Sequence, residues 1–145
     1  MDMNRIREYI ERIDLFNGLD PEDVVKIFSK GMTMKCLKGE TIFYKDTVGS
    51  QMYVVLGGKV GVVEEGKCIA ALSTGDMFGE MALVTKEPRS ASVVALEDSH
   101  LFVLSETTFE RLMTKRAAIR ILLNIIRVLS HRLKHANLKM IHPKP

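Results

Sequence analysis

Gly75-Asp76-Met77-Phe78-Gly79-Glu80-Met81-Ala82-Leu83, followed after Val84–Glu87 by Pro88-Arg89-Ser90-Ala91-Ser92-Val93, is the stretch that decides both fold and site. Gly79 opens one short helical turn, Glu80–Leu83. The leading amides of such a turn lack intrahelical partners and attract an anion, phosphate being a common guest. A glycine there lets a ligand approach the backbone closely. Arg89 stands ten residues beyond Gly79, behind a proline that stiffens the loop, and its planar fork suits two phosphate oxygens. If a strand begins at Ser90, Ser90 and Ser92 alternate in face, so only one of them reaches the arginine's pocket. Ser90, which adjoins Arg89, is the choice. Glu80 is anionic and a poor phosphate ligand, but a good acceptor for a sugar hydroxyl. Phosphate donors and a hydroxyl acceptor at one site describe a nucleotide. The plain alternative on these residues alone is a helix cap beside a surface ion pair.

Working outward, the residues from Met32 to Ser105 form short β-rich runs. These are Thr33–Leu37, Glu40–Tyr44, Met52–Leu56, Lys59–Glu64, Lys67–Leu72, Ser90–Ala95 and Leu101–Leu104. Lys38-Gly39, Asp46–Ser50, Gly57-Gly58, Glu65-Gly66, Thr74-Gly75 and Glu97-Asp98 separate them. Many short strands at this spacing predict a sandwich, roll or barrel rather than a parallel α/β sheet.

Helices flank this region. Ile6, Tyr9, Ile10 and Ile13 fall at helical spacing. A second helix has Asp20 as its cap, Pro21 at its first position, Glu22 and Asp23 at the positive end of its dipole, and Gly31 as its stop. Ser105 caps a helix running through Met113, and a long helix follows from about Thr114 to about Met140. Between Ala117 and Leu129 of that helix only Arg120, Asn124 and Arg127 are polar, making one stripe. Ile119, Ile121, Leu122, Leu123, Ile125, Ile126, Val128 and Leu129 cover the other faces. A helix apolar almost all round needs partners on two sides. One side is expected on the β core and the other on the same helix of a second copy, in a two-fold dimer. The alternative is coverage by the chain's own N-terminal helices.

The 145 residues favour one domain spanning 1–145, with N-terminal helices in 1–31, the β region in 32–105 and C-terminal helices in 106–140. The net charge of +3 conceals an asymmetry. Residues 111–145 hold nine Lys/Arg and no Asp or Glu, so residues 1–110 carry −6. The basic segment is either the solvated face of a helix or a contact for nucleic acid, anionic lipid or an acidic partner. No apolar run is long enough to span a membrane and the N-terminus lacks an apolar signal core, so a cytoplasmic location is expected. Cys36 and Cys68 read as two buried, reduced thiols. Without a CxxC pair, neither zinc nor an iron–sulfur cluster is expected.

The whole pattern resembles the cyclic-nucleotide-binding domain family, which includes catabolite-activator-type regulators, kinase regulatory subunits and nucleotide-gated channels. Phe78–Leu83 and Pro88–Val93 match the family's phosphate-binding cassette, here 75–93. Lys38-Gly39-Glu40-Thr41-Ile42 and Met52–Val60 match its strand–turn pattern, and the likeness runs from about Leu15 to about Leu133. The resemblance implies an eight-stranded β-roll, a jelly-roll-like double-stranded β-helix, flanked by helices. It implies that Glu80 accepts from the ribose 2′-hydroxyl and that Arg89 pairs with the cyclic phosphate. Backbone amides near Gly79, Glu80, Met81 and Ala82, with the Ser90 hydroxyl, would complete the cradle, and Leu83 and Val93 would face the base. The long helix becomes a lid, with Asn124, Arg127, His131 and Arg132 as its polar residues. The loop Asp46-Thr47-Val48-Gly49-Ser50 departs from the family's usual Gly-Asp and is read as a turn-shaping loop.

The expected ligand is cAMP in preference to cGMP, with no cofactor, no metal and no catalysis. The expected setting is a stand-alone regulatory sensor reporting to an unidentified protein effector. Direct sequence-specific DNA binding is not expected of this chain, which carries no helix-turn-helix module after the long helix. Two alternatives remain. The chain is a fragment or subunit of a transcription regulator or channel, or the fold serves a haem or gas sensor through His100, His131, His135 or His142, of which His131 and His135 are spaced i, i+4.

Overall fold

The structure is a computed structural model and describes residues 3–112 and 115–141. Helix α1 (Met3–Arg12), a 3-10 turn (Asp14–Phe16) and helix α2 (Pro21–Lys30) precede eight strands: β1 (Met32–Cys36), β2 (Thr41–Phe43), β3 (Gln51–Gly57), β4 (Lys59–Glu64), β5 (Lys67–Ser73), β6 (Met77–Phe78), β7 (Ser92–Ala95) and β8 (Ser99–Ser105). A second 3-10 turn, Glu80–Leu83, lies between β6 and β7. Helices α3 (Glu106–Leu112) and α4 (Lys115–Ile141) close the chain. The strands form two four-stranded antiparallel sheets, ordered β1-β8-β3-β6 and β2-β7-β4-β5. This is the eight-stranded roll with flanking helices that the family resemblance implies.

The first sheet is the partition of the molecule. Along β3, Met52 and Val54 join the core beneath the helices, whereas Tyr53 and Val55 join the core inside the roll. β8 does the same with Phe102 and Leu104 on one face and Leu101 and Val103 on the other. Alternate side chains point to opposite faces of a strand, so a strand buried on both sides reads as an unbroken apolar run. That is why Met52–Leu56 and Leu101–Leu104 show no polar alternation. β6 repeats the division in two residues, Met77 beneath the helices and Phe78 inside the roll. Two residues have no period, and this strand is the one the sequence reading lacks. Ser90 lies before β7, not in it.

The helix ends follow their signals with two corrections. Ser105 Oγ accepts the Thr108 amide at 3.1 Å, capping α3 as expected. Asp20 occupies the cap position of α2 in extended geometry, but its side chain makes no capping bond, and only its carbonyl receives the Asp23 and Val24 amides. Gly31 does end α2, though without a left-handed conformation. A Cβ there would collide with the Phe102 ring, so the glycine serves close packing. Met113 and Thr114, the expected helix boundary, lie outside the described residues, as does His142. Cys36 is buried and burial raises its thiol pKa, but Cys68 is exposed, contrary to expectation. Cys68 sits on β5, an edge strand paired with β4 alone and exposed along nearly its whole length. Among the described residues no helix is long and apolar enough to cross a membrane.

α4 lies against the 3-10 turn Asp14–Phe16, and Ala117, Ile121, Asn124 and Ile125 form its buried face. The polar stripe therefore turns inward at Asn124. Ile119, Leu122, Leu123, Ile126 and Leu133 remain exposed, Ile119 and Ile126 each at 58%.

Candidate functional site

Between the two sheets and the Glu80–Leu83 turn lies a cavity of about 400 Å³. That volume suits a small ligand. Gly79 adopts φ +72, a left-handed conformation that bulkier residues resist, and turns the chain from β6 into the 3-10 turn. The turn sets Glu80 at the cavity wall, with Met81 and Ala82 following. The returning loop brings Pro88, Arg89 and Ser90 to the opposite side. Phe43, Val62, Ala70 and Leu72 supply an apolar wall from β2, β4 and β5, and Val93 adds to it from β7.

Arg89 is the most constrained group in this site. It is 9% exposed. Its Nη1 donates to the Gly79 carbonyl at 3.0 Å and its Nη2 to the Gln51 carbonyl at 2.7 Å. The guanidinium stacks over Phe43, 4.2 Å from the ring centre. Its Nε is buried with no partner, and no ion pair to Arg89 occurs among the described residues. Burial pushes the guanidinium pKa below its ordinary value, with only partial compensation from Tyr53 and Glu80. A buried cation without an anionic partner is costly, and an orphaned buried donor calls for an explanation. An anion in the cavity would give the guanidinium the partner it lacks.

Glu80 is 6% exposed. Arg132, reaching across from α4, lies 3.4 Å from Glu80 Oε1 through Nη1 and donates from Nη2 to the Met77 carbonyl at 2.7 Å. The 3.4 Å contact is long for a hydrogen bond, so the Met77 carbonyl is the firmer anchor. Arg132 thus stands over the carboxylate from the helix side of the cavity.

The structure brings Gly79, Glu80, Met81, Ala82, Arg89, Ser90 and Val93 together around one space, with Arg132 from the helix. Ser92, the rejected serine, accepts the Lys45 amide instead. The Ala82 amide is already engaged with the Gly79 carbonyl at 3.2 Å. Leu83 does not line the cavity and packs beneath the helices. Asn124 donates to the carbonyls of Leu15 at 2.9 Å and Asn17 at 2.8 Å, fastening α4 to the N-terminal turn. Arg127 and His131 line a separate cavity of about 350 Å³ with Asp14 and Asp76.

Two contributors escape sequence reasoning. Phe43 lies far from the cassette in sequence, yet it is the ring on which Arg89 rests. Gly49, in the loop read as merely shaping a turn, has no left-handed conformation. A Cβ at Gly49 would collide with Arg89 Nη2. Its glycine makes room for the guanidinium, and a lone loop glycine carries no local signal of that role.

The sequence model described as "Cyclic nucleotide-binding domain" matches residues 33–116. The cyclic AMP receptor protein of Thermus thermophilus is 34% identical over 87% of the chain, which covers 60% of that protein. A cGMP-dependent protein kinase, egl-4 of Caenorhabditis briggsae, is 29% identical over 92% of the chain, which covers 18% of that protein. The chain thus spans under two thirds of either relative. A solved cyclic nucleotide-binding domain from Methylobacillus flagellatus KT superposes with a TM-score of 0.85 over 99% of the chain and 84% of its own, at 23% identity, a likeness of fold. With the cassette inside the matched residues and the fold superposing throughout, the chain belongs to the cyclic nucleotide-binding domain family.

Proposed function

We propose that this chain is a regulatory sensor unit that binds a cyclic nucleotide in the Arg89 cavity. The observation that carries the reading is Arg89, buried and without an ion pair among the described residues, in the wall of a cavity that Glu80 and Ser90 also line. The cyclic phosphate pairs with Arg89, assisted by Ser90 and the amides at the start of the Glu80–Leu83 turn. The ribose 2′-hydroxyl donates to Glu80. The base lies against the apolar wall that includes Val93, while Leu83 acts behind the turn. Of the two nucleotides we favour cAMP, because the relative at 34% identity is named a cyclic AMP receptor protein. A relative named for cGMP makes cGMP the comparison ligand.

Arg132 is the lid residue of this proposal, since of the four polar helix residues it alone reaches the nucleotide cavity. Nucleotide sharing Glu80 with Arg132 biases where α4 rests, and a protein effector reads that position, a population shift. The exposed apolar strip of α4 is the surface for a second copy. Ile119, Leu122, Ile126 and Leu133 recur at three-, four- and seven-residue steps, the spacing of a coiled-coil seam. We place this sensor in the cytoplasm, where cyclic nucleotides would reach it.

Calorimetric titration of the chain with cAMP and cGMP, and of Arg89→Ala and Glu80→Ala with the same ligands, tests the site. A charge-assisted bond contributes about 1.5–3 kcal/mol, so each substitution should weaken binding roughly ten- to a hundred-fold. Unchanged affinity in both variants would sink the assignment.

A further inference from the structure

The nucleotide reading leaves one polar cluster of α4 unused. His131 and His135 are one turn apart on the helix, both exposed, and their Nε2 atoms stand 3.1 Å from each other. Residues four apart share a helix face. These two turn the same nitrogen toward each other. Their ring centres are 4.5 Å apart and the ring planes cross at 76°. The centres are farther apart than the nitrogens, so both rings lean inward, yet too close for two rings aimed head-on along the line between nitrogens. The 3.1 Å contact is a hydrogen bond when one ring carries its proton on Nε2; with both rings protonated on Nδ1 instead, both Nε2 lone pairs are open at that spacing.

A metal ion about 2.0–2.1 Å from each of two imidazole nitrogens, at an angle between square and tetrahedral, holds them about 2.9–3.4 Å apart. The observed 3.1 Å lies inside that bite. We propose that His131 and His135 form a two-histidine chelate for a divalent transition-metal ion.

The chemistry around the pair selects the class of ion. No third His, Cys, Asp or Glu completes a metal-holding group among the described residues, so water fills the remaining positions. Arg127 lies one turn before His131, and Arg132 and Lys134 lie between the histidines in sequence. This positive surround opposes any cation, and Asp14 and Asp76 across the adjoining cavity offset it in part. Calcium and magnesium, which depend on oxygen ligands, gain nothing here. Imidazole-binding ions do, in the order copper(II) above nickel(II) and zinc(II). Both histidines must bind as neutral rings, so affinity falls as pH is lowered and protons compete. Arg132 sits inside the chelated turn, so occupancy would stiffen the segment that reaches Glu80. That consequence rests on the nucleotide reading, whereas the chelate stands without it.

The test is titration of the full chain with copper(II) in the absence of nucleotide, followed by electron paramagnetic resonance, with zinc(II) as a second probe. One tight equivalent with two-nitrogen hyperfine structure is expected. His131→Gln and His135→Gln should each weaken binding at least about ten-fold, because each removes the intramolecular second contact, and should abolish the two-nitrogen signal. His100→Gln should leave both unchanged. The proposal is overturned if copper binds with the same affinity and spectrum in His131→Gln or His135→Gln, or if the chain shows no site tighter than single imidazoles provide.

Discussion

Arg89 shows how one side chain is held ready by groups distant in sequence. Two carbonyls, a phenyl ring and the bare backbone of Gly49 fix its plane. A lysine offers one point charge and cannot repeat that set of contacts. The most specific residue-scale prediction concerns Gly49 because it touches no ligand. Gly49→Ala must displace the guanidinium, since its Cβ would lie well inside van der Waals contact of Nη2, and a shift of about an ångström at a charge-assisted bond should weaken nucleotide binding by at least about ten-fold, or about 1.4 kcal/mol. Circular dichroism should remain that of the native chain, since Gly49 needs no glycine-only backbone conformation. That Glu80, Arg89 and Ser90 line one cavity was legible from residue type and order within one short stretch. Gly49 and Phe43 were not, because their roles depend on contacts across the roll that no local pattern encodes.

At the scale of elements, the strands that partition the core were the most readable and β6 the least. β3 and β8 carry apolar side chains on both faces, and their unbroken runs announced it. β6 is two residues inside a segment whose composition belongs to the cassette. The exposure of Cys68 was hidden for a related reason. Edge position is set by which strands pair, and the run Lys67–Leu72 reads the same whether it lies in the middle or at the rim. In α4 the polar stripe was visible, but its direction was not. Asn124 looks like a surface or lid residue, yet it is 1% exposed and holds two carbonyls of the N-terminal turn. Asn124→Ala would leave both carbonyls without donors, which costs about 1–3 kcal/mol when such groups stay buried. A lower urea midpoint with an unchanged slope is expected. An unaltered midpoint would show that α4 does not depend on this fastening.

For the whole molecule, the decisive feature is what α4 leaves uncovered. One side packs on the N-terminal 3-10 turn Asp14–Phe16, where the sequence reading expects the β core, and the alternative of full coverage by the chain's own helices fails at Ile119, Leu122, Leu123, Ile126 and Leu133. If a second copy covers that strip, sedimentation should find a dimer, and Ile126→Glu, which places two carboxylates face to face on the seam, should yield monomers that keep their fold. A monomer at all concentrations in the unsubstituted chain would remove the dimer from the account. The nearly all-round apolar surface of α4 was legible in sequence, but the division between inward and outward faces was not, because both are apolar and the packing against Asp14–Phe16 sets the rotation of the helix.

The central claim is that the buried Arg89 awaits a cyclic phosphate, and calorimetry with cAMP on the unsubstituted chain beside Arg89→Ala tests it most directly. The account predicts one equivalent of cAMP bound per chain and at least a ten-fold loss of affinity in the variant. Absence of binding to the unsubstituted chain, or equal affinity in the two proteins, would contradict it.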